Sequence, residues 1–125
     1  MTNIKPLIII AIIMLVLDSI YLTTFSKFFN EVVTKVQGSK IQFRVIGAIL
    51  CYICLIFGLN YFIISQKKSL IDAFILGIVI YGVYETTSYT LLKDWPPIAV
   101  AMDTLWGGIL FTLTTYFTYT LLGKV

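Results

Sequence analysis

The run from Ile4 to Thr24, IKPLIIIAIIMLVLDSIYLTT, decides the fold. From Leu7 to Leu17 it carries no polar side chain. A helix rising about 1.5 Å per residue needs roughly 20 such residues to cross the hydrocarbon of a bilayer, and this run supplies them. Pro6 sits in the opening turn, where a missing backbone donor costs no hydrogen bond. Towards the other end a single carboxylate, Asp18, interrupts the apolar sequence.

Three further runs share this character: about Val45 to Ile64, Leu70 to Leu92, and Ile98 to Leu122, the last beginning after the Trp95-Pro96-Pro97 turn. None alternates apolar with polar residues, as the wall of a barrel would. A chain surrounded by lipid must also satisfy its own backbone donors and acceptors, so each run reads as a helix. Composition agrees, because 59% of the 125 residues are hydrophobic, 12% are charged and the mean hydropathy is +0.97. A water-soluble domain of this length has no means of hiding so much apolar surface.

The expected fold class is therefore all-α, a polytopic, multi-pass integral membrane protein built as an antiparallel four-helix transmembrane bundle. Residues 1–125 read as a single membrane domain in a cell membrane. Lys5 ahead of an apolar core would also suit a signal peptide, but nothing that follows resembles an Ala-x-Ala cleavage site. Tyr21, Tyr61, Tyr89 and Trp95 lie near predicted helix ends, where aromatic belts belong.

Residues 25–37 place Phe25, Phe28, Phe29, Val32, Val33 and Val36 at helical spacing, with Lys27, Asn30, Glu31 and Lys35 on other faces. Two readings stand for this segment: an interfacial amphipathic helix, or a connecting helix packed on its own bundle. Lys5, Lys67, Lys68 and Lys124 fall on one side of the membrane and Lys27, Lys35, Lys40, Arg44 and Lys93 on the other. That balance sets no orientation. The net charge of +3 is scattered around the apolar runs, which suits lipid headgroups and makes no nucleic-acid footprint.

Asp18, Glu85 and Asp103 all fall within predicted spans, whereas the basic residues lie outside them or at their margins. An intramembrane carboxylate is by default a candidate functional group. Antiparallel crossings put all three in one half of the bilayer, about 7 to 11 Å below the same face by helical rise. Their helical neighbours at three or four residues' distance extend the candidate ligand or ion pocket to Tyr21, Tyr81, Ser88, Tyr89 and Trp106. Carboxyls this close in a low dielectric cannot all remain ionised without compensation. Protonation, a bound cation or amine, water, or an inward-folded Arg44, Lys27 or Lys93 would each supply it.

Transport or ligand binding follows from the first three forms of compensation, and a helix-locking ion pair from the last. Small polar clusters in membrane bundles also serve simply to hold helices together, so a non-catalytic structural or accessory role stands beside the transport reading. Catalysis has little to work with: histidine is absent, no phosphate-cradling glycine loop is visible, and no catalytic residue, cofactor or metal site is expected. An enzyme acting on lipid would have only carboxyls and tyrosines.

Cys51 and Cys54 form a Cys-x-x-Cys inside the second run, with neither the helix start nor the extra ligands of a redox or metal site. With Gly47 and Gly58 they make a seam of small residues, which predicts a helix-packing face. Ala73 with Gly77, and Gly107 with Gly108, predict further contact faces. Thr114 and Thr118 continue the face of Asp103 and Gly107, so a polar path along the fourth span is open, although threonines commonly bond their own helix carbonyls.

Leu17-Asp18 with Tyr21-Leu22, Tyr52 with Gly58-Leu59, Tyr81-Gly82-x-Tyr84-Glu85-x-Thr87 running to Trp95-Pro96, and Asp103-x-x-Trp106-Gly107 together give a pattern covering nearly the whole chain. It resembles a family of small four-span bacterial membrane proteins described as a domain of unknown function. Where that family has Asp-Leu-Thr-Asn on the third span, this chain has Glu85-Thr86-Thr87-Ser88. The resemblance implies a fold and no activity. The expected partners are the lipid bilayer and no nucleic acid, with self-association as a homo-oligomer and a cation or amine ligand left open.

Overall fold

The computed structural model describes residues 4–123. Five helices follow in order: α1, Lys5–Thr24; α2, Ser26–Gln37; α3, Val45–Leu59, continuing as a π-helical turn over Asn60–Ile64; α4, Leu70–Leu91; and α5, Pro97–Leu122. Four crossings are long and apolar enough to span a membrane: α1, α3 with its π turn, α4 and α5. The protein is thus an integral, multi-pass membrane protein, as its hydropathy requires.

Local sequence explains where the helices start and stop. α4 opens on a capping box: the Ser69 Oγ accepts the Asp72 N–H at 3.1 Å, and the Asp72 carboxylate accepts the Ser69 N–H at 3.3 Å. Pro97 begins α5 where no helical donor is needed. α2 ends at Gly38, whose φ of 78° is the left-handed cap that glycine adopts without a Cβ penalty. The π turn is closed by Ser65 N–H donating to the Asn60 carbonyl at 2.8 Å, one residue longer than an α-helical bond.

In space the spanning helices form a row, α3–α1–α5–α4. The α4–α5 pair is the tightest. A Cβ added at Gly77 would lie 2.2 Å from the Gly107 carbonyl oxygen, and one added at Gly107 would lie 2.3 Å from Cγ of Tyr81. Only glycine permits that approach, which brings the two backbones into direct contact. At the ends of the row, α3 and α4 scarcely touch. The core lies along the row and is made by Ile10, Met14, Leu55, Leu59, Ala73, Leu110 and Phe111.

α2 folds back against the bundle. Phe25 and Phe29 place their rings 5.2 and 5.9 Å from the ring of Tyr21, and Val32 is buried. At the opposite face the Tyr119 hydroxyl donates to the Lys68 carbonyl at 2.7 Å, tying α5 to the turn between α3 and α4.

Candidate functional site

Asp18 sits on the inner face of α1, buried between α3 and α5. It is held from both sides. The Tyr52 hydroxyl of α3 donates to Oδ2, and the Trp106 indole N–H of α5 donates to Oδ1 at 2.9 Å. Two neutral donors from two helices therefore converge on one carboxyl group, and each of its oxygens accepts one bond. Tyr21, one turn further along α1, stacks on Trp106 with ring centroids 4.5 Å apart and planes at 2°.

Glu85 is the most deeply buried of the acids, with 1% of its surface exposed. Its partner comes from the turn between α4 and α5. Asp94 adopts φ 67°, a left-handed conformation that aspartate tolerates better than most residues, and the reversal folds Trp95 back over the end of α4. The Trp95 indole N–H then donates to Glu85 Oε1 at 3.0 Å. The partners of Asp18 and Glu85 are thus a phenol and two indoles, and no lysine or arginine is among them.

Asp103, on α5, is arranged differently. It faces Glu85 across the α4–α5 contact and lies close enough to Tyr21 for each to feel the other's charge. No hydrogen bond of ordinary length closes on its carboxyl among the described residues. The Tyr21 hydroxyl is itself buried without a hydrogen-bond partner. The Tyr21 phenol and the Glu85 carboxyl thus both stand beside the Asp103 carboxyl and interact with it, without the close, aligned bonds that Asp18 receives.

Asp18 and Asp103 open onto a shared cleft of about 220 Å³. Leu22 of α1, Leu55 of α3 and Ile80 of α4 form its apolar walls, and Tyr81 completes the inner side. Its mouth lies where α3 and α4 fail to meet, between Cys51 and Tyr84, both exposed. Among the described residues no three histidine, cysteine or acidic side chains converge closely enough to ligate one metal ion.

Of the residues singled out from sequence, the structure gathers Asp18, Tyr21, Tyr81, Asp103 and Trp106 around this cleft or its back wall. Glu85 joins them through Asp103 but does not line the cleft. Ser88 is half-buried and is seen only through its backbone carbonyl, which accepts the Leu92 N–H at 2.8 Å. Tyr89 is 54% exposed and faces outward from α4.

Tyr52, Trp95, Cys51 and Tyr84 were missed as site residues. Tyr52 had a usable signal, since it lies one helical turn and more inside the start of its span, at the depth of the acids. Trp95 had none, because only the reversal at Asp94 turns a residue at the membrane edge into a partner for Glu85.

Two expectations about packing need correction. The seam of Gly47, Cys51, Cys54 and Gly58 is not a contact face within the chain: both cysteines are exposed, and a Cβ at either glycine would meet nothing within 4 Å. α3 instead turns Leu55 and Leu59 inward, because large apolar groups fill the wide gap that α1 leaves. The threonine path is interrupted, since fully buried Leu110 and Phe111 separate Asp103 from Thr114, Thr115 and Thr118 along α5.

Neither a curated protein nor a solved structure matches the chain. A family model, described as "Predicted membrane protein (DUF2177)", matches residues 3–120. With nearly its whole length covered, and with all three intramembrane acids inside the match, the chain belongs to that family of membrane proteins of unknown function.

Proposed function

We propose that Asp103, with Asp18 beside it, forms an intramembrane site that binds a proton, a cation or an amine-bearing ligand in small-solute transport or lipid handling. The observation that carries this reading is the unequal partnering of the three acids. Asp18 has a donor on each oxygen and Glu85 has one from Trp95, whereas Asp103 lines the cleft with only the Glu85 carboxyl and the Tyr21 hydroxyl beside it, neither in a bond of ordinary geometry. Buried polar groups normally have partners, and one left open inside a bilayer costs free energy that a bound ligand recovers. A positively charged donor answers both the charge and the empty acceptor positions.

A structural role for Asp18 has its own support. Its two bonds tie α1 to α3 and to α5, which is what polar glue between membrane helices does. The alternative function is therefore a non-catalytic structural or accessory membrane protein in which the acids only hold helices together. The two readings part at Asp103, which lines the cleft and meets Glu85 and Tyr21 through weaker contacts than those that hold Asp18. Asp103→Asn in proteoliposomes is expected to abolish proton or cation flux while the bundle remains folded. Flux at the parental level in a folded variant would leave the structural reading alone.

A further inference from the structure

The row α3–α1–α5–α4 leaves its ends apart, and the acids are reached through that gap. On the opposite side, between α1 and α5, a larger groove of about 380 Å³ runs past Ile20, Met102 and Ile109. The stacked rings of Tyr21 and Trp106 close its floor and separate it from the carboxyls. A ligand coming from the α1–α5 side therefore meets an aromatic wall. One coming between α3 and α4 passes Cys51 and Tyr84 and arrives at Asp103.

That approach opens sideways into lipid. The flanking α3 residues Leu50 and Ile53 and the α4 residues Val79 and Val83 are all more than half exposed, and each is a side chain that belongs among acyl chains. The cleft thus joins an apolar mouth to an acidic end.

Resting on the reading that Asp103 binds a positive group, we propose that the ligand is a long-chain amine, with its ammonium at Asp103 and Asp18 and its chain leaving sideways between α3 and α4. Charge complementarity supports this occupant, because two carboxyls stand at the inner end and, among the described residues, no basic side chain is bonded to either. The walls support it against a hard metal ion. Ca²⁺ takes about six to eight oxygen ligands, and Leu22, Leu55 and Ile80 offer none. The cleft of about 220 Å³ takes the amino end of such a molecule, and a long chain continues out of its mouth into the bilayer.

The test is photolabelling of the full chain in proteoliposomes with a long-chain primary amine carrying a diazirine near its amino end, followed by peptide mapping. Adducts are expected on the α3 and α4 segments around Cys51, Leu55, Ile80 and Tyr84. Excess dodecylamine should suppress them about tenfold, which corresponds to about 1.4 kcal/mol of occupancy, whereas dodecanol and ethylamine should not. Asp103→Asn should lose the suppressible adducts and Asp103→Glu should keep them, so a folding defect in the first is recognised by the second.

Equal suppression by dodecanol would overturn the inference, since the cleft would then be selecting chains without regard to charge. Suppression by ethylamine as strong as that by dodecylamine would overturn lateral binding of a chain while leaving the acidic site in place. Suppressible adducts confined to Ile20, Met102 and Ile109 would overturn it by placing the ligand in the opposite groove. Labelling that falls as protein is concentrated in the membrane, with no amine effect, would show a second copy covering the mouth and would overturn it too. Failure of the underlying reading looks different: flux in Asp103→Asn would stay at the parental level.

Discussion

The α4–α5 pair and the α3 helix carry the same kind of sequence and use it in opposite ways. Both present small residues at helical spacing. In α4–α5 the glycines are consumed by contact, with Gly77 against the Gly107 backbone and Gly108 against Phe74 and Ile78. In α3 the glycines look out on open space, and the helix holds to the bundle through Leu55, Leu59 and the Tyr52 bond to Asp18. A small-residue pattern therefore states that close approach is allowed. It does not state that a partner has taken up the offer.

That contrast breaks or sharpens under substitution. Gly77→Ala should have the largest effect, because its methyl group would be driven into a carbonyl oxygen that belongs to the backbone. Overpacking of this kind typically costs about 1 to 3 kcal/mol, and with no flexible side chain to give way the cost should reach the upper end. Reversible unfolding in detergent measures it, and a loss below about 0.5 kcal/mol would mean that the two helices slide past the clash freely.

Asp18→Ala comes next. It removes both bonds and leaves the Tyr52 phenol and the Trp106 indole as buried donors. Bonds to a charged group contribute about 1.5 to 3 kcal/mol in water-soluble proteins, but polar contacts between membrane helices average nearer 0.6, so a loss of about 2 kcal/mol is expected. Asp103→Asn, measured beside it, should cost clearly less, under about 1 kcal/mol, because the amide keeps the shape of the side chain and only the weaker contacts to Glu85 and Tyr21 change. Equal losses at the two positions would erase the distinction between a carboxyl that holds helices and one that waits for a ligand.

The smallest effect belongs to Gly58→Ala on α3. With nothing within 4 Å of the added methyl group, the change should fall between zero and a gain of about 1 kcal/mol, the upper figure being the helix-propensity difference between the residues. A loss as large as that at Gly77 would show that this face meets a partner, such as a second copy of the chain.

The crossings were legible because their signal is additive. Each apolar residue from Leu7 to Leu17 adds to the same conclusion, and no tertiary contact is needed to draw it. The depth of the acids was legible for a similar reason: helical rise converts a residue count into a distance. Their division of labour was not. Asp18, Glu85 and Asp103 look equivalent in the sequence, yet in the structure aromatic donors from other segments close on Asp18 and Glu85, while Asp103 has only Glu85 and Tyr21 beside it.

Sequence by itself determined that this chain lives in a bilayer, that it crosses four times, and that the three acids within the spans lie at one level, because the energy of placing a residue in hydrocarbon depends mainly on that residue. Only the tertiary structure decided which helices adjoin, that α3 and α4 stand apart, and that the resulting cleft ends at Asp103. Those features depend on pairs of surfaces, and the lipid that drives each helix into the membrane is indifferent to which of its faces meets a neighbour.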